Sequence, residues 1–259
     1  MTDTPTLRVE VQGGVAHLTL TRAEAANTMN LQFGREFLAA AQALQADRRV
    51  RAVLLSGEGR NFCFGGDLKG MVASGGDLAA YLSELTTALH AGLAHLVRMD
   101  APVIAAVKGS AAGAGLGLVL ASDLAIAGRS AKFTPAYTGV GLTPDAGCTF
   151  LLPRAVGYKR AMELFLTNRV LSAEEALDWG LVNQVVDDDK VDETAAALAL
   201  RLASGPTGAY GGVKRLLGDA EPGLEGQLGR GSRSIAGHGA ATEGREGIAA
   251  FLEKRPPRF

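Results

Sequence analysis

The alternation of apolar and polar positions predicts that the chain opens with β-structure. Residues 7–11 and 16–21 alternate on either side of a Gly-Gly pair, which is the pattern of a two-stranded hairpin. A helix is predicted over residues 30–47, with Asn30 as its N-cap, and the apolar run over residues 50–56 indicates a buried strand. The first part of the chain is therefore expected to run strand, strand, helix, strand.

The alternation of strand and helix continues further along the chain. Residues 77–98 form one long amphipathic helical pattern, and residues 102–107 are a β-branched run of the length of a buried strand. Residues 118–126 have a spacing that suits first a helix and then a strand. We expect an α/β fold with a mostly parallel sheet and helices packed outside it.

Helical patterns dominate after residue 143. Thr143 can cap a helix, with Pro144 at the first helical position and Asp145 in the first turn. Ser172 can cap a second helix, over residues 173–179.

A short strand is predicted over residues 181–186, and the chain after Gly205 reads as helix or turn. We place a domain boundary near residue 200. It divides the chain into a core of residues 1–200 and a helical region of residues 201–259, whose apolar faces indicate packing on another subunit.

Two turns of small residues stand out from these patterns. Residues 109–117 read GSAAGAGLG and lie between a predicted strand and a predicted helix. Residues 61–69 read NFCFGGDLK, and they place Gly65 and Gly66 where another strand gives way to a helix. A helix that opens on small residues offers unpaired N–H groups to a ligand, so two such turns can supply two donors to one negatively charged oxygen. The alternative is that the small residues only allow close packing of helix on sheet.

Composition and charge exclude several classes of function. The chain has 259 residues, 47% of them hydrophobic, and a net charge of −1, so it has no general basic field for nucleic acid. The N-terminus has neither a basic start nor an apolar core, and apolar runs are shorter than the roughly eighteen residues of a spanning helix. We expect a cytoplasmic protein that does not bind membranes.

Cysteine and histidine usage argues against a disulfide framework and a metal site. Cys63 and Cys148 are the two cysteines and lack CxxC spacing, and the four histidines form no pair at helical metal-binding spacing. Cys63 is interpreted as a small buried filler beside the first turn.

The combination of NFCFGGDLK with PVIAAVKGSAAGAGLGLVLASDLAI, about forty residues later, resembles the crotonase superfamily, also called the enoyl-CoA hydratase/isomerase family. The resemblance implies a spiral of ββα units followed by a helical region that forms trimers or hexamers. It also implies an acyl-CoA thioester as substrate, with coenzyme A present as part of that substrate and no permanently bound cofactor.

The resemblance implies a set of site residues by motif position. The N–H groups of Gly66 and Ala114 would hold the thioester oxygen, where each donor is worth roughly 3 kcal/mol in the transition state. The coenzyme A contacts implied are Ala26, Gly66, Asp67, Leu68 and Lys69 of one chain, with Phe251 and Lys254 from the tail of a neighbouring subunit.

The chain departs from the hydratases of that family at both catalytic glutamates. The corresponding positions hold Gly117 and Tyr137, neither of which is a general base near neutral pH. Asp145, in LTPDAG, occupies a position that faces the acyl group in several superfamily members. The sequence LTPDAG…LLPR resembles the CoA isomerases, including those that act on ring-epoxide and unsaturated aryl-acetyl thioesters. We therefore predict an isomerase in which Asp145 moves the proton, within an apolar surrounding that includes Phe64 and Leu142.

Three alternatives stay open at this point. Asp145 could act as a nucleophile, as in the aryl-CoA dehalogenases of the superfamily, and His90 falls where those enzymes keep a histidine that assists hydrolysis. Tyr137 weakens that alternative because it stands where they have Trp. A weakly active hydratase and a subunit that binds CoA esters without turnover are the other two. Aliphatic and aromatic acyl groups are both open.

Overall fold

The computed structural model describes residues 4–73, 75–220 and 222–259. The strands are β1 (Leu7–Gln12), β2 (Val15–Leu20), β3 (Ala52–Gly57), β4 (Val103–Val107), β5 (Ser110–Ala112), β6 (Leu124–Gly128), β7 (Lys132–Thr134), β8 (Leu171–Ser172) and β9 (Gln184–Val186). The helices are α1 (Leu31–Ala46), α2 (Leu68–Ala73), α3 (Leu78–Arg98), α4 (Ala114–Ala121), α5 (Cys148–Val156), α6 (Tyr158–Thr167), α7 (Ala173–Asp178), α8 (Val191–Ala203), α9 (Thr207–Gly218), α10 (Leu224–Ala240) and α11 (Thr242–Leu252). Within these ranges every helix is too short or too polar to cross a lipid bilayer.

The main sheet has the order β1-β2-β3-β4-β6-β9 among the described residues. β1 and β2 form the predicted antiparallel hairpin, and the remaining neighbours pair in parallel. A second sheet has the order β5-β7-β8. The predicted α/β class and the mostly parallel sheet are therefore confirmed.

Strand periodicity explains why helices cover both faces of the main sheet. Leu18 and Leu55 point into the same buried cluster as residues of α1 and α3. The intervening residues Leu54 and Ile104 point the other way and pack against α8 through small residues such as Ala195. Because successive side chains of a strand alternate between faces, an almost wholly apolar strand requires cover on both sides.

Side-chain caps begin several helices, and those at Asn30 and Ser172 are as predicted. The Asn30 side chain accepts a hydrogen bond from the Phe33 N–H, and Asp77 caps α3. Ser172 forms a full capping box with Glu175 at the start of α7. Each of these side chains satisfies N–H groups that have no partner within the helix.

The helix predicted to start at Thr143 is wrong in its starting point. α5 begins at Cys148, and Asp145 lies before it in a turn rather than in its first helical turn. Ala146 and Gly147 both have positive φ angles, 49° and 73°, which a right-handed helix cannot contain. Thr-Pro-Asp at residues 143–145 therefore belongs to a loop, although this sequence is typical of a helix start.

The short strands after β4 differ from the sequence prediction. β5 lies inside the small-residue run that was interpreted as a turn, and β9 is shorter than the predicted strand over residues 181–186. Such short strands carry too few residues for a period-2 pattern to be detected.

The C-terminal part is helical, as predicted, from α9 to α11. α8 runs through residue 200, and the domain boundary placed near that residue stays a prediction. Lys214 of α9 ties the helical region to the core, because its ammonium group pairs with Asp123 at 2.8 Å and donates to the carbonyl groups of Leu96 and Ala101.

Candidate active site

The two small-residue turns are held side by side by main-chain hydrogen bonds. The Cys63 N–H donates to the Ser110 carbonyl, and the Ala112 N–H donates to the Cys63 carbonyl, so the segment before the first turn pairs in parallel with β5. A Cβ added to Gly65 would lie 3.1 Å from the Ala114 nitrogen, which shows how closely the turns approach. The prediction that the turns meet is thus explained by one short strand pairing.

Backbone conformation fixes both turns. Gly65 has φ 83°, and Gly113, immediately before α4, has φ 54° and ψ −126°. These values favour glycine because a side chain would clash with its own backbone. Among the hydrogen bonds of the described residues, none uses the N–H of Gly66 or Ala114 as donor. Both groups are therefore available to a ligand.

A cavity of about 380 Å³ connects these turns with Asp145. Gly66, Ala114 and Asp145 all line it, and most of its wall is apolar. Its large apolar lining residues are Met29, Phe64, Leu68, Met71, Leu82, Leu85, Leu89, Val140 and Leu142. Among the described residues that line the cavity, Asp145 is the one with a carboxylate.

Asp145 is held by side chains from two other segments. The Tyr137 hydroxyl donates to Asp145 Oδ1 at 2.6 Å. His90, from α3, places Nε2 3.6 Å from Asp145 Oδ2, and the same nitrogen accepts the Ala146 N–H at 3.0 Å. A ring nitrogen that accepts a hydrogen bond carries no proton, so His90 offers no N–H to Asp145 in this arrangement.

Tyr137 and Cys148 are buried neutral groups next to this carboxylate. Burial, reinforced by the nearby Cys148 and Asp145, raises the pKa of the Tyr137 hydroxyl well above its ordinary value. Burial likewise raises the pKa of the Cys148 thiol to about 12. Neither group ionises near neutral pH, so Tyr137 keeps the proton with which it donates a hydrogen bond to Asp145.

The position of the first hydratase glutamate has no room for a side chain. A Cβ added to Gly117 would lie 2.6 Å from the Ala146 Cβ and 2.8 Å from the Ala146 carbonyl oxygen. The loop that carries Asp145 therefore packs directly on Gly117. A glutamate at 117 and the present Asp145 loop exclude each other sterically.

The residues predicted to contact coenzyme A from this chain lie in or beside the first turn of small residues. Leu68 lines the cavity and Lys69 is exposed at the start of α2. Asp67 caps α2 through the Gly70 N–H and forms an ion pair with Arg22 at 3.0 Å. Although burial acts to raise it, the pKa of the Asp67 carboxyl is lowered by these two contacts.

Ala26 lies beside the first turn, and its carbonyl accepts the Phe64 N–H. Phe251 and Lys254, at the end of α11, do not line this cavity. Phe251 is 82% exposed.

A second cleft, of about 620 Å³ between α1, α9 and α11, contains none of the predicted site residues.

Cys63 has a structural role in the first turn. Its thiol contacts the Asn27 carbonyl at 3.1 Å and accepts the Gly65 N–H at 3.4 Å, and burial raises its pKa to about 12.

Within the described ranges, no three or more His, Cys, Asp or Glu side chains form a group that could hold a metal ion.

Sequence reasoning missed several residues of the site. Ala146, which packs against Gly117, gives no signal in sequence because its importance comes from a tertiary contact. Leu82, Leu85 and Leu89 follow helical spacing on one face of α3, and that pattern could have assigned them to the cavity wall. The hydrogen bond from Tyr137 to Asp145 joins residues eight apart through an irregular loop.

The arrangement combines two capabilities. Two free N–H groups beside one cavity can stabilise negative charge on an oxygen, and one carboxylate nearby can accept and return a proton. The apolar wall limits water around a bound acyl group and strengthens both interactions.

Comparisons with known proteins show the family and the fold of the chain. A family model described as enoyl-CoA hydratase/isomerase matches residues 10–259. The chain is 42% identical to 1,2-epoxyphenylacetyl-CoA isomerase of Escherichia coli K12, with 96% of each chain covered. It is 39% identical to 4-chlorobenzoyl coenzyme A dehalogenase-2 of an Arthrobacter species, over 80% of this chain and 76% of that one. A crystal structure of an enoyl-CoA hydratase from Polaromonas sp. JS666 superposes with a TM-score of 0.92 at 32% identity, covering 97% of this chain and 98% of the other, which confirms the expected fold.

Proposed function

The chain belongs to the enoyl-CoA hydratase/isomerase family, and on this basis we propose that it isomerises an enoyl-CoA, or a related unsaturated or aryl-acetyl-CoA, with Asp145 as the proton shuttle. The observation that carries the proposal is the composition of one cavity. Gly66, Ala114 and Asp145 line it, and the N–H groups of Gly66 and Ala114 have no partner in the described part of the chain. The similarity to the Escherichia coli isomerase supports the same conclusion.

The proposed reaction needs no atom beyond those of the substrate and Asp145. The Asp145 carboxylate removes a proton from C2 of a 3-enoyl thioester, and the electron pair moves into the carbonyl to give a dienolate. The N–H groups of Gly66 and Ala114 stabilise the resulting oxyanion. Protonated Asp145 then returns the proton at C4, which leaves the double bond between C2 and C3 and restores the carboxylate.

Gly117 and Tyr137 support isomerisation over hydration. Addition of water needs a group that activates water in addition to a proton donor, and the hydratase glutamate positions offer neither. Packing of Ala146 against Gly117 leaves no space there for a second carboxylate. A single shuttling carboxylate suffices for isomerisation.

Dehalogenation is the second candidate, because His90 lies 3.6 Å from Asp145 and the chain is similar to an aryl-CoA dehalogenase. In that reaction Asp145 would displace halide from an aryl ring, and a base would activate water to hydrolyse the ester. His90 Nε2 is already engaged by the Ala146 N–H, which disfavours a role as that base. Isomerisation therefore has the stronger support.

We propose that coenzyme A lies across the mouth of the cavity, near Ala26, Asp67, Leu68 and Lys69. Exposed Lys69 supplies a positive charge for a phosphate group. Asp67 holds Arg22 and the start of α2, so we assign it a supporting role in this contact.

We also propose that the protein is a homotrimer, or a hexamer of two trimers, in which Phe251 and Lys254 reach the neighbouring coenzyme A site. Large apolar side chains of the tail are exposed in the single chain, among them Leu224, Leu228 and Ile235. Such surfaces are typical of subunit contacts. Light scattering at micromolar concentration should give a trimeric or hexameric mass, and a monomeric mass would overturn this proposal.

Replacement of Asp145 by Asn tests the proposed reaction. The variant keeps the size of the side chain but lacks the base, so kcat for 3-enoyl-CoA isomerisation should fall about 100- to 10,000-fold. The rate is followed through the ultraviolet absorbance of the conjugated product. Affinity for a saturated acyl-CoA, measured by calorimetry, should change little.

Asp178→Asn is the matched control, because that carboxylate is 77% exposed and lies on α7, outside the cavity lining. Near-normal turnover by Asp145→Asn would refute the proton-shuttle role. Binding of acyl-CoA without turnover by the wild type would favour a non-catalytic subunit. Release of halide from 4-chlorobenzoyl-CoA, with an ester trapped on Asp145, would favour the dehalogenase.

A further inference from the structure

The two oxygens of the Asp145 carboxylate have different surroundings. Oδ1 accepts the Tyr137 hydroxyl at 2.6 Å, a length typical of an O–H donor on a carboxylate. Oδ2 faces His90 Nε2 at 3.6 Å, but that nitrogen accepts the Ala146 N–H and has no proton to give. Within the described residues, no hydrogen bond reaches Oδ2. The carboxylate is thus held by one oxygen and left open at the other.

Tyr137 is itself fixed firmly enough to act as an anchor. Its side chain is only 9% exposed, and its carbonyl accepts the N–H groups of Val140 and Leu142, which closes the loop around it. Its hydroxyl also lies 3.8 Å from the Cys148 thiol, at the start of α5. The donor hydroxyl therefore belongs to a buried residue that contacts the chain both before Asp145, at Val140 and Leu142, and after it, at Cys148.

The loop that carries Asp145 needs such an anchor. Ala146 follows with φ 49°, a left-handed conformation that a residue other than glycine adopts at an energetic cost. Rotation of a carboxyl group about its terminal bond is soft, because that torsion has broad minima. Without a partner on one oxygen, the plane of the carboxylate would be poorly defined relative to a substrate in the cavity.

We propose that Tyr137 is a positioning residue that holds Asp145 by Oδ1, so that Oδ2 is the oxygen that takes the proton from the substrate and returns it. The inference rests on the proposed isomerase function. When Oδ2 is protonated, Oδ1 becomes the carbonyl oxygen of the acid and still accepts the Tyr137 hydroxyl. One hydrogen bond therefore orients both the carboxylate and the protonated acid. Oδ2 is then the oxygen that faces C2 in the first step and C4 in the second.

Tyr137→Phe removes the donor and keeps the ring. We expect kcat for 3-enoyl-CoA isomerisation to fall roughly 10- to 100-fold, since misplacement of a reacting group by about 1 Å has effects of this order. The KM should stay within about twofold, because uniform binding of substrate is not altered. Tyr158→Phe is the matched control: that side chain is 66% exposed on α6, and its loss of a hydroxyl should change nothing.

The double variant Asp145→Asn/Tyr137→Phe separates positioning from a general structural role. If Tyr137 acts through Asp145, its removal should cost less than about threefold in the Asp145→Asn background. An equal loss in both backgrounds would overturn the inference, as would a Tyr137→Phe variant with normal kcat.

An isotope experiment gives an independent readout. A shuttle that uses one oxygen should carry part of a C2 deuterium label to C4, and Tyr137→Phe should lower that fraction because the freed carboxyl group rotates and exchanges with water. An unchanged transferred fraction would contradict the proposal. The two levels fail differently: a wild type without isomerase turnover refutes the proposed function, and an active Asp145→Asn variant refutes Asp145 as its proton shuttle. An inactive Asp145→Asn variant combined with a fully active Tyr137→Phe variant refutes only the inference on Tyr137.

Discussion

The two halves of the site are built in different ways. The half that would hold the oxygen consists of main-chain N–H groups, at Gly66 and Ala114, and it is positioned by strand pairing of Cys63 with β5. The half that would move the proton consists of the side chain of Asp145, and it is positioned by other side chains. The conformation of each turn follows from local backbone preferences and the turns are joined by main-chain hydrogen bonds, whereas the orientation of the carboxylate depends on side-chain contacts with Tyr137 and His90.

The glycines of the small-residue run join the two halves. A Cβ on Gly115 would lie 2.3 Å from the Cys63 carbonyl oxygen, and one on Gly117 would lie 2.6 Å from the Ala146 Cβ. The first turn of α4 is therefore pressed against the donor turn on one side and against the Asp145 loop on the other. Close packing and free N–H groups, which the sequence presented as alternatives, are both present.

The largest effect on the rate is expected when one N–H donor of the main-chain half is removed. Ala114 is the first residue of α4, where proline fits the helical backbone but has no N–H. Ala114→Pro should lower kcat/KM about 100- to 1,000-fold, the cost typical of a lost oxyanion donor, and steady-state kinetics on 3-enoyl-CoA would measure it.

Ala114→Gly is the matched variant because it keeps the N–H and removes only the methyl group. Its rate should stay within about threefold of wild type if the donor, not the side chain, matters at this position. Equal losses in both variants would show that the methyl group or the helix start is the important feature, and would remove Ala114 from the oxyanion site.

A smaller effect on stability and rate is expected at the contact between Gly117 and Ala146, where the two halves of the site meet. Gly117→Ala places a methyl group against Ala146, and such overpacking costs typically about 1–3 kcal/mol of unfolding free energy, offset by at most about 1 kcal/mol of better helix propensity. We expect a net loss of roughly 1–2 kcal/mol in denaturant unfolding, together with a lower kcat as the Asp145 loop shifts. Gly237→Ala, at an exposed position of α10 where an added Cβ would meet no neighbouring atom, should be neutral or slightly stabilising.

The double variant Gly117→Ala/Ala146→Gly sharpens this test. It removes the Ala146 methyl group and allows glycine at a left-handed position with φ 49°, so part of the lost stability and rate should return. If the double variant were as unstable as the sum of both single variants, contact between Gly117 and Ala146 would not be the cause.

The contrast between the halves also explains how far sequence reasoning reached. The hairpin, the caps at Asn30 and Ser172, and the two glycine turns all follow from local rules, and the structure contains them. The predicted start of α5 at Thr143 is wrong because two successive residues with left-handed backbone conformation, Ala146 and Gly147, follow the helix-start signals. Alanine gives no warning of such a conformation.

For the same reason the surroundings of Asp145 were less accessible than its identity. A motif identifies Asp145, whereas the sequence identifies Tyr137 only as a residue that cannot be a base and that stands where the dehalogenases have Trp. The hydrogen bond that joins them depends on burial of the Tyr137 ring beneath the loop, which is a tertiary property. His90 was placed near the acyl group by resemblance, but the direction of its hydrogen bond with Ala146 requires coordinates.

The smallest effect is expected at His90, and it separates the two candidate reactions. In the isomerase, His90 only accepts the Ala146 N–H, and a net hydrogen bond of this kind is worth about 1 kcal/mol. Glutamine can offer an amide oxygen to the same N–H, so His90→Gln should lower kcat for isomerisation by less than about fivefold. His95→Gln is the control on the same helix, where the ring contacts Gln45 and does not line the cavity.

A dehalogenase would respond differently to the same change, because it needs a base to hydrolyse the ester formed on Asp145. Intact-protein mass spectrometry of His90→Gln after incubation with 4-chlorobenzoyl-CoA would then detect a stable aryl adduct, with release of one halide per subunit. Unmodified protein together with near-normal isomerisation is the outcome we expect, since the Nε2 lone pair of His90 already accepts the backbone N–H of Ala146. A stable adduct would instead assign Asp145 to nucleophilic catalysis, and the side-chain half of the site would have to be reinterpreted while the main-chain half kept its role, because both reactions place negative charge on the thioester oxygen.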